Sequence, residues 1–195
     1  MRQATISLKH TLNRLPKHAL GNIAKPVLFA VLLWAAAAAG AVPIPGTPVP
    51  ITLQTFVVML AALTLPWQQA GAAIIIYLSA GAAGLPVFAG GGSTLSLVGP
   101  SAGFLFGFLP AAIVTSLLKG KPRTDSIASG ALTALRYLAA AFVGCVAIDY
   151  ALGFAVQSAI TGVPVSTVAV ASMGFVGADM IKAMVASTTV AVLGK

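Results

Sequence analysis

GFVGADMIKAMVAS, residues Gly174 to Ser187, sets an acid and a base three positions apart inside a long apolar run. On a helix, Asp179 and Lys182 share one face, where they can pair with each other or hold a common ligand. The chain has only three acidic residues, Asp125, Asp149 and Asp179, so an acid here needs a reason. Within a membrane, ionisable groups are costly and turn toward the protein interior or a water-filled cavity. Two readings of the couple stand at this stage. One is a ligand site, and the other is a self-paired bridge that only helps helices pack.

The rest of the chain puts this stretch in a membrane. Of 195 residues, 58% are hydrophobic and 7% charged, with a mean hydropathy of +1.00. Soluble domains carry about 25% charged residues. The net charge of +8 does not indicate nucleic acid, because the basic residues gather at one end and in one short loop, with no basic helix interleaved with aromatics. The single Cys145 cannot form an internal disulfide. His10 and His18 have no Cys, Asp or Glu nearby, so no metal site and no catalytic set is expected.

Hydropathy and breaker residues divide the chain as follows. Met1 to Lys25 is a basic, acid-free tail, read as cytoplasmic and able to lie on anionic lipid. Residues 26–195 form the membrane domain. Its expected spans are Pro26–Val42, Ile51–Leu65, Ala70–Leu85, Ser101–Leu118, Ser126 to about Ala155, and Gly174–Leu193. Pro66 to Gln69 reads as a tight turn. The Pro-rich loop Pro43–Pro50, the Gly-rich loop Pro86–Pro100 and the segment Val156–Met173 contain no Lys or Arg. The tail, the loop of Lys119, Lys121 and Arg123, and Lys195 are basic. Six spans put all the basic segments on one side, which the positive-inside rule makes cytoplasmic, together with both termini.

That arrangement puts the two special loops and the start of the last span on the outer face. Asp179 and Lys182 are then expected within the first two turns of that helix, with its free N–H groups helping Lys182 hold a carboxylate. A loop as apolar as Pro86–Pro100 is expected to be buried, as the cap of a ligand cavity. In the first span, Ala35 and Ala39 offer a small-residue face, either for packing within the chain or for docking a second membrane subunit. Met180 and Met184 read as core filler, and Arg136 as a side chain snorkelling to the basic surface.

Several blocks together resemble a known family: PIPGTPVPITLQTF (Pro43–Phe56), Tyr77, GLPVFAGGG (Gly84–Gly92), GPSAGFLFGF (Gly99–Phe108) and GADMIKA (Gly177–Ala183). They resemble the BioY biotin-uptake proteins, the substrate-binding S components of energy-coupling-factor (ECF) transporters, over roughly Pro26 to Leu193. The resemblance implies an all-α six-helix membrane bundle that holds biotin near its outer surface. Asp179 and Lys182 match the family's Asp-x-x-Lys that binds the vitamin's polar groups. Gln54 with Thr52 matches its second-helix motif. Tyr77, Val87, Phe88, Gly90, Gly91 and Gly92 match the cavity wall and the loop that closes it. Ser101, Ala102, Phe104 and Ala178 depart from the expected Thr, Gly, Tyr and Gly. The implied partners are biotin, membrane lipid, and a transmembrane coupling subunit with two ATPase subunits, or further copies of the chain. Ala35 and Ala39 match the docking face. No cofactor beyond the transported ligand is implied. The chain has no Gly-x4-Gly-Lys-Ser/Thr motif of its own. The alternatives are a stand-alone or ion-coupled carrier, with Asp179 taking up a proton, and a membrane enzyme, for which no acid–base pair is evident.

Overall fold

A computed structural model describes residues 17–123 and 125–194, with side chains from residue 21. The tail up to residue 16, His10 within it, the side chain of His18 and Lys195 lie outside the described residues.

Helix α1, Lys17–Ala38, carries Pro26 inside it, so the helix starts within the stretch assigned to the tail. Short strands β1, Ala41–Val42, and β2, Ile51–Thr52, pair antiparallel and close the Pro-rich loop. Helix α2 is Gln54–Thr64. The backbone N–H of Gln54 donates to Thr52 Oγ1 at 3.3 Å, which satisfies one of the free amides at the helix start. Helix α3, Trp67–Ala82, begins directly after Pro66. The expected turn over Pro66–Gln69 is therefore the first turn of a helix, because proline is well suited to open one. The 3-10 turns Ala89–Gly91 and Thr94–Leu97 follow, and then α4, Ala102–Leu118.

Helix α5 runs from Ile127 to Thr161 without interruption. It starts at a reciprocal Ser126–Ser129 capping box and passes through a π-helical segment, Phe142–Ile148. It ends at Gly162, whose φ of 72° is the left-handed conformation that glycine adopts cheaply. The segment Val156–Met173, which reads in sequence as a loop with a short helix, is thus helical as far as Thr161. After it come the short α6, Val165–Ala171, and α7, Met173–Leu193.

Three of these helices are long and apolar enough to cross a membrane, over 21–38, 127–161 and 173–193, while Gln54–Thr64 and Ala102–Leu118 are shorter apolar helices. α2 has 11 residues, or about 16 Å at the helical rise. That falls well short of the ~30 Å hydrocarbon layer. Its shortness leaves room above its first turn, and the cavity lies there.

α2 and α4 form the middle of the bundle. α4 packs on α2, α3 and both halves of α5, α7 packs on α2 and the first half of α5, and α1 covers α3. Leu33, Val58, Met59, Ile74 and Tyr77 are fully buried, together with many alanines. Glycines set the α4–α5 crossing. A Cβ on Gly103 would lie 2.5 Å from Leu152 O, and one on Gly144 would lie 2.6 Å from Ala111 O. Close backbone approach through small residues is how helices associate where lipid offers no hydrophobic drive. The outward faces are apolar too: Phe106, Leu132, Leu135 and Val192 are all exposed. Met184 belongs to that outer face, at 45% exposure, and is not core filler.

The basic loop is tied down. Lys119 Nζ donates to the carbonyls of Ala62 (2.8 Å) and Leu65 (2.5 Å), and Ser116 Oγ donates to Leu65 O at 2.8 Å. These bonds satisfy the C-terminal carbonyls of α2. The Arg136 guanidinium donates to the Lys121 carbonyl. Ala35 on α1 and Ala39 just past its end are exposed, so they do not serve packing within the described chain, whereas Ala36 and Ala37 are buried.

Candidate functional site

α7 and the start of α2 build the polar floor. Lys182 Nζ lies 2.6 Å from Asp179 Oδ1. It also donates to Thr52 O at 2.7 Å and Thr55 Oγ1 at 2.9 Å. All three ammonium hydrogens are thereby engaged. Asp179 Oδ1 accepts a second bond from Thr55 Oγ1 at 2.8 Å, and Oδ2 accepts from Tyr150 OH at 2.7 Å. The couple is thus self-paired, as one of the two readings held. It is also not sealed off: Asp179, Lys182, Thr52, Thr55 and Tyr150 all line a cavity of about 310 Å³.

The walls are aromatic. Phe104, Phe108, Tyr150 and Phe175 line the cavity. Phe104 meets Phe175 edge-on at 5.8 Å and Tyr150 at 6.3 Å between ring centres, the edge-to-face contact that aromatic quadrupoles favour. Prolines 48 and 50 of the Pro-rich loop and Phe88, Ala89 and Gly90 of the Gly-rich loop complete the rim. Gln157 Nε2 on α5 donates to Thr47 Oγ1 at 3.2 Å, tying the Pro-rich loop to the bundle.

A buried chain of hydrogen bonds fixes Gln54. Tyr77 OH donates to Val87 O at 2.9 Å, which spends its only hydrogen. Toward Gln54 the phenol oxygen can therefore only accept, and it does so from Nε2 at 2.5 Å. The Gln54 amide is thereby oriented, with Oε1 left as an acceptor on a residue that lines the cavity. Phe88 packs edge-on to Tyr77 at 5.2 Å. It sits on Gly81, where a Cβ would fall 2.1 Å from the ring.

Of the residues expected at the site, Asp179, Lys182, Gln54, Thr52, Phe88 and Gly90 line the cavity. Tyr77 and Val87 stand one layer behind, in the chain that orients Gln54. Gly91 and Gly92 hold the turn: Gly91 N donates to Phe88 O and Phe88 N to Gly92 O, with φ of 68° and 77° at Gly90 and Gly91. The loop is only partly a buried cap, for Leu95 and Val98 are exposed. The expected help from N–H groups at the start of α7 does not materialise. Helix α7 begins at Met173, nine residues or about 13 Å before Lys182. The helix start that opens on the cavity is that of α2, through Gln54 and Thr55. Thr55, Phe108, Asp149, Tyr150 and Phe175 had not been expected at the site. The Asp149–Tyr150 pair, a second acid in an apolar run, was the available signal. No group of His, Cys, Asp and Glu among the described residues can hold a metal ion.

A profile of the BioY family matches residues 8–195. The biotin transporter BioY of Rhizobium etli is 34% identical over 161 residues, covering 82% of this chain and 86% of the relative. That of Thermotoga maritima is 39% identical over 146 residues, covering 74% and 80%. The fold is shared with the S component for biotin from an ECF-type ABC transporter, at a TM-score of 0.81 and 21% identity, over 92% of this chain and 93% of that one. With the profile spanning nearly its whole length, the chain belongs to the BioY family.

Proposed function

We propose that this chain is the biotin-binding membrane subunit of a vitamin uptake system. It spans the plasma membrane six times with both termini in the cytoplasm, takes biotin at the outer face and releases it inward with an ATP-driven partner module. The observation that carries this reading is the Asp179–Lys182 couple on the floor of an aromatic-walled cavity of about 310 Å³. Small-ligand sites of about 300–1,000 Å³ combine mostly apolar walls with a few convergent polar groups. The names of the relatives, biotin transporters, point the same way. So does the absence of Lys and Arg from the three loops assigned to the outer face.

Contact at 2.6 Å makes the couple a single recognition point. Lys182 and Asp179 therefore do not serve opposite ends of biotin, with the ammonium on the carboxylate and the acid on the ureido ring. A cyclic urea offers on each edge a carbonyl beside an N–H. Lys182 donates to that carbonyl, exchanging a bond to Thr52 or Thr55, and Asp179 accepts the adjacent N–H. The apolar thioether ring lies against Phe104, Phe108 and Phe175, and the carboxylate tail runs toward the rim. Ala35 and Ala39 form the face for the transmembrane coupling subunit, because both small residues remain exposed at the end of α1.

The test is to purify the protein, identify any co-purified small molecule by mass spectrometry, and titrate with biotin by calorimetry. Tight one-to-one binding is expected. No heat of binding with folded protein at micromolar biotin overturns the reading.

A further inference from the structure

Asp149 is a buried carboxyl for which the couple has no use. It is 1% exposed, both of its oxygens lack a hydrogen-bond partner, and the residue lines the cavity. Asp179, by contrast, already receives three donors, out of about four that a carboxylate accepts. Room for the Asp149 side chain is built into α4. A Cβ on Gly107 would lie 2.3 Å from Asp149 Oδ1, so this glycine forms the notch that the carboxyl occupies. The π-helical segment of α5 ends at Ile148, directly before Asp149. Such widened turns shift the register of the residues after them and recur at functional sites. Tyr150, the next residue, donates to Asp179 Oδ2, which holds Asp149 on the wall beside the couple.

Buried polar groups find partners as a rule, and each exception asks for an explanation. Inside a membrane an unpaired acid is a functional residue by default. Building on the reading of this cavity as a biotin site, we infer that Asp149 is a second ligand-binding residue that accepts a hydrogen bond from an N–H of the ureido ring. The chemistry of the ring requires a second acceptor. Its two N–H groups stand on opposite edges of the carbonyl, so one carboxylate cannot take both. The Asp179–Lys182 couple reads one edge, and Asp149, with both oxygens unpartnered, reads the other.

The test measures biotin binding to wild type, Asp149→Leu and Asp149→Asn by calorimetry, with thermal unfolding alongside. Biotin methylated at either ureido nitrogen serves as a second ligand set. Leucine keeps the branch of aspartate at Cγ with bulkier ends, and an apolar group in place of an unpaired buried carboxyl leaves no polar group unsatisfied, so Asp149→Leu is expected to fold, which the unfolding scan checks. It should bind biotin about 10- to 100-fold more weakly, the consequence of a buried N–H left without a partner. Asp149→Asn keeps an acceptor oxygen and should stay within about threefold of wild type. Methylating the nitrogen that faces Asp149 should weaken binding to wild type but change little in Asp149→Leu, a coupling that a merely structural role does not produce. Wild-type affinity in Asp149→Leu, or equal methylation costs in both proteins, overturns the inference. Failure of wild type to bind biotin would overturn the underlying assignment instead.

Discussion

Replacing Lys182 by methionine tests the couple most directly. The ammonium makes three bonds, to Asp179 Oδ1, Thr52 O and Thr55 Oγ1. Asp179 is 4% exposed, and Lys182 makes its only salt bridge among the described residues. Breaking a buried pair from one side costs about 3–5 kcal/mol, because the surviving charge is left uncompensated. Thr55 and Tyr150 still donate to Asp179, so the lower figure applies. If the couple reads the ureido edge, Lys182→Met also loses the donor to the ligand carbonyl. A hydrogen bond from a charged donor, about 1.5–3 kcal/mol, corresponds to roughly 10- to 100-fold in affinity. The double variant Asp179→Asn/Lys182→Met separates the two effects. It leaves no unpaired charge, so its thermal stability should recover toward wild type, while biotin binding stays lost. Calorimetry and thermal unfolding on the same purified samples give both quantities. Near-wild-type biotin affinity in Lys182→Met, or binding restored in the double variant, would refute the reasoning.

Tyr77→Phe removes the acceptor of Gln54 Nε2 and the donor to Val87 O. Two buried groups lose their partner, at about 1–3 kcal/mol each, and the Gln54 amide is free to turn. Both a lower unfolding temperature and weaker biotin binding are expected by thermal scan and calorimetry. Gly81→Ala places a methyl group 2.1 Å from the Phe88 ring. The ring must leave its seat, and limited proteolysis should cut the Gly-rich loop faster than in wild type. Ala35→Leu with Ala39→Leu enlarges an exposed small-residue face at the end of α1, at two residues that do not line the cavity. Biotin binding by calorimetry should be unchanged, while ATP-driven uptake in vesicles carrying the partner subunits should fall.

The couple was legible because its residues are rare. Three acids in a chain that is 58% hydrophobic leave few places for chemistry. The Pro-rich and Gly-rich loops were legible because proline and glycine restrict the backbone directly. The aromatic wall was not. In a soluble helix the apolar face points inward, but here the faces toward lipid are as apolar as the core. Phe106 is exposed and Phe104 and Phe108 are buried, within one helix. Periodicity cannot separate them when lipid resembles the interior. The π-helical segment Phe142–Ile148 adds a second obstacle. Counting at 3.6 residues per turn through it misplaces the register of Asp149 and Tyr150, which follow directly. The far end of α5 was hidden for a different reason. Gln157, Ser158 and Thr161 look like loop residues, yet Thr161 Oγ1 bonds back to Gln157 O at 2.8 Å and Gln157 reaches Thr47. Such side chains satisfy themselves on the helix or across to a neighbour, and the helix continues.

The saturation of Lys182 bears on selectivity. An ammonium with free hydrogens would attract any anion that entered the cavity. Here its three hydrogens are committed to Asp179, Thr52 and Thr55, and its charge is balanced at 2.6 Å. A simple carboxylate would have to displace one of these bonds while facing the charge of Asp179. A group offering an acceptor and a donor side by side meets no such repulsion, since it takes a hydrogen from Lys182 and gives one to Asp179. A site that demands a donor rejects analogues lacking it far more strongly than an apolar wall rejects a change of shape. The couple should therefore favour a ureido ring over a fatty acid of equal length, although the aromatic walls suit both. A competition titration with biotin and a medium-chain fatty acid reads this preference. Comparable affinities for the two would show that the apolar wall, and not the couple, governs recognition.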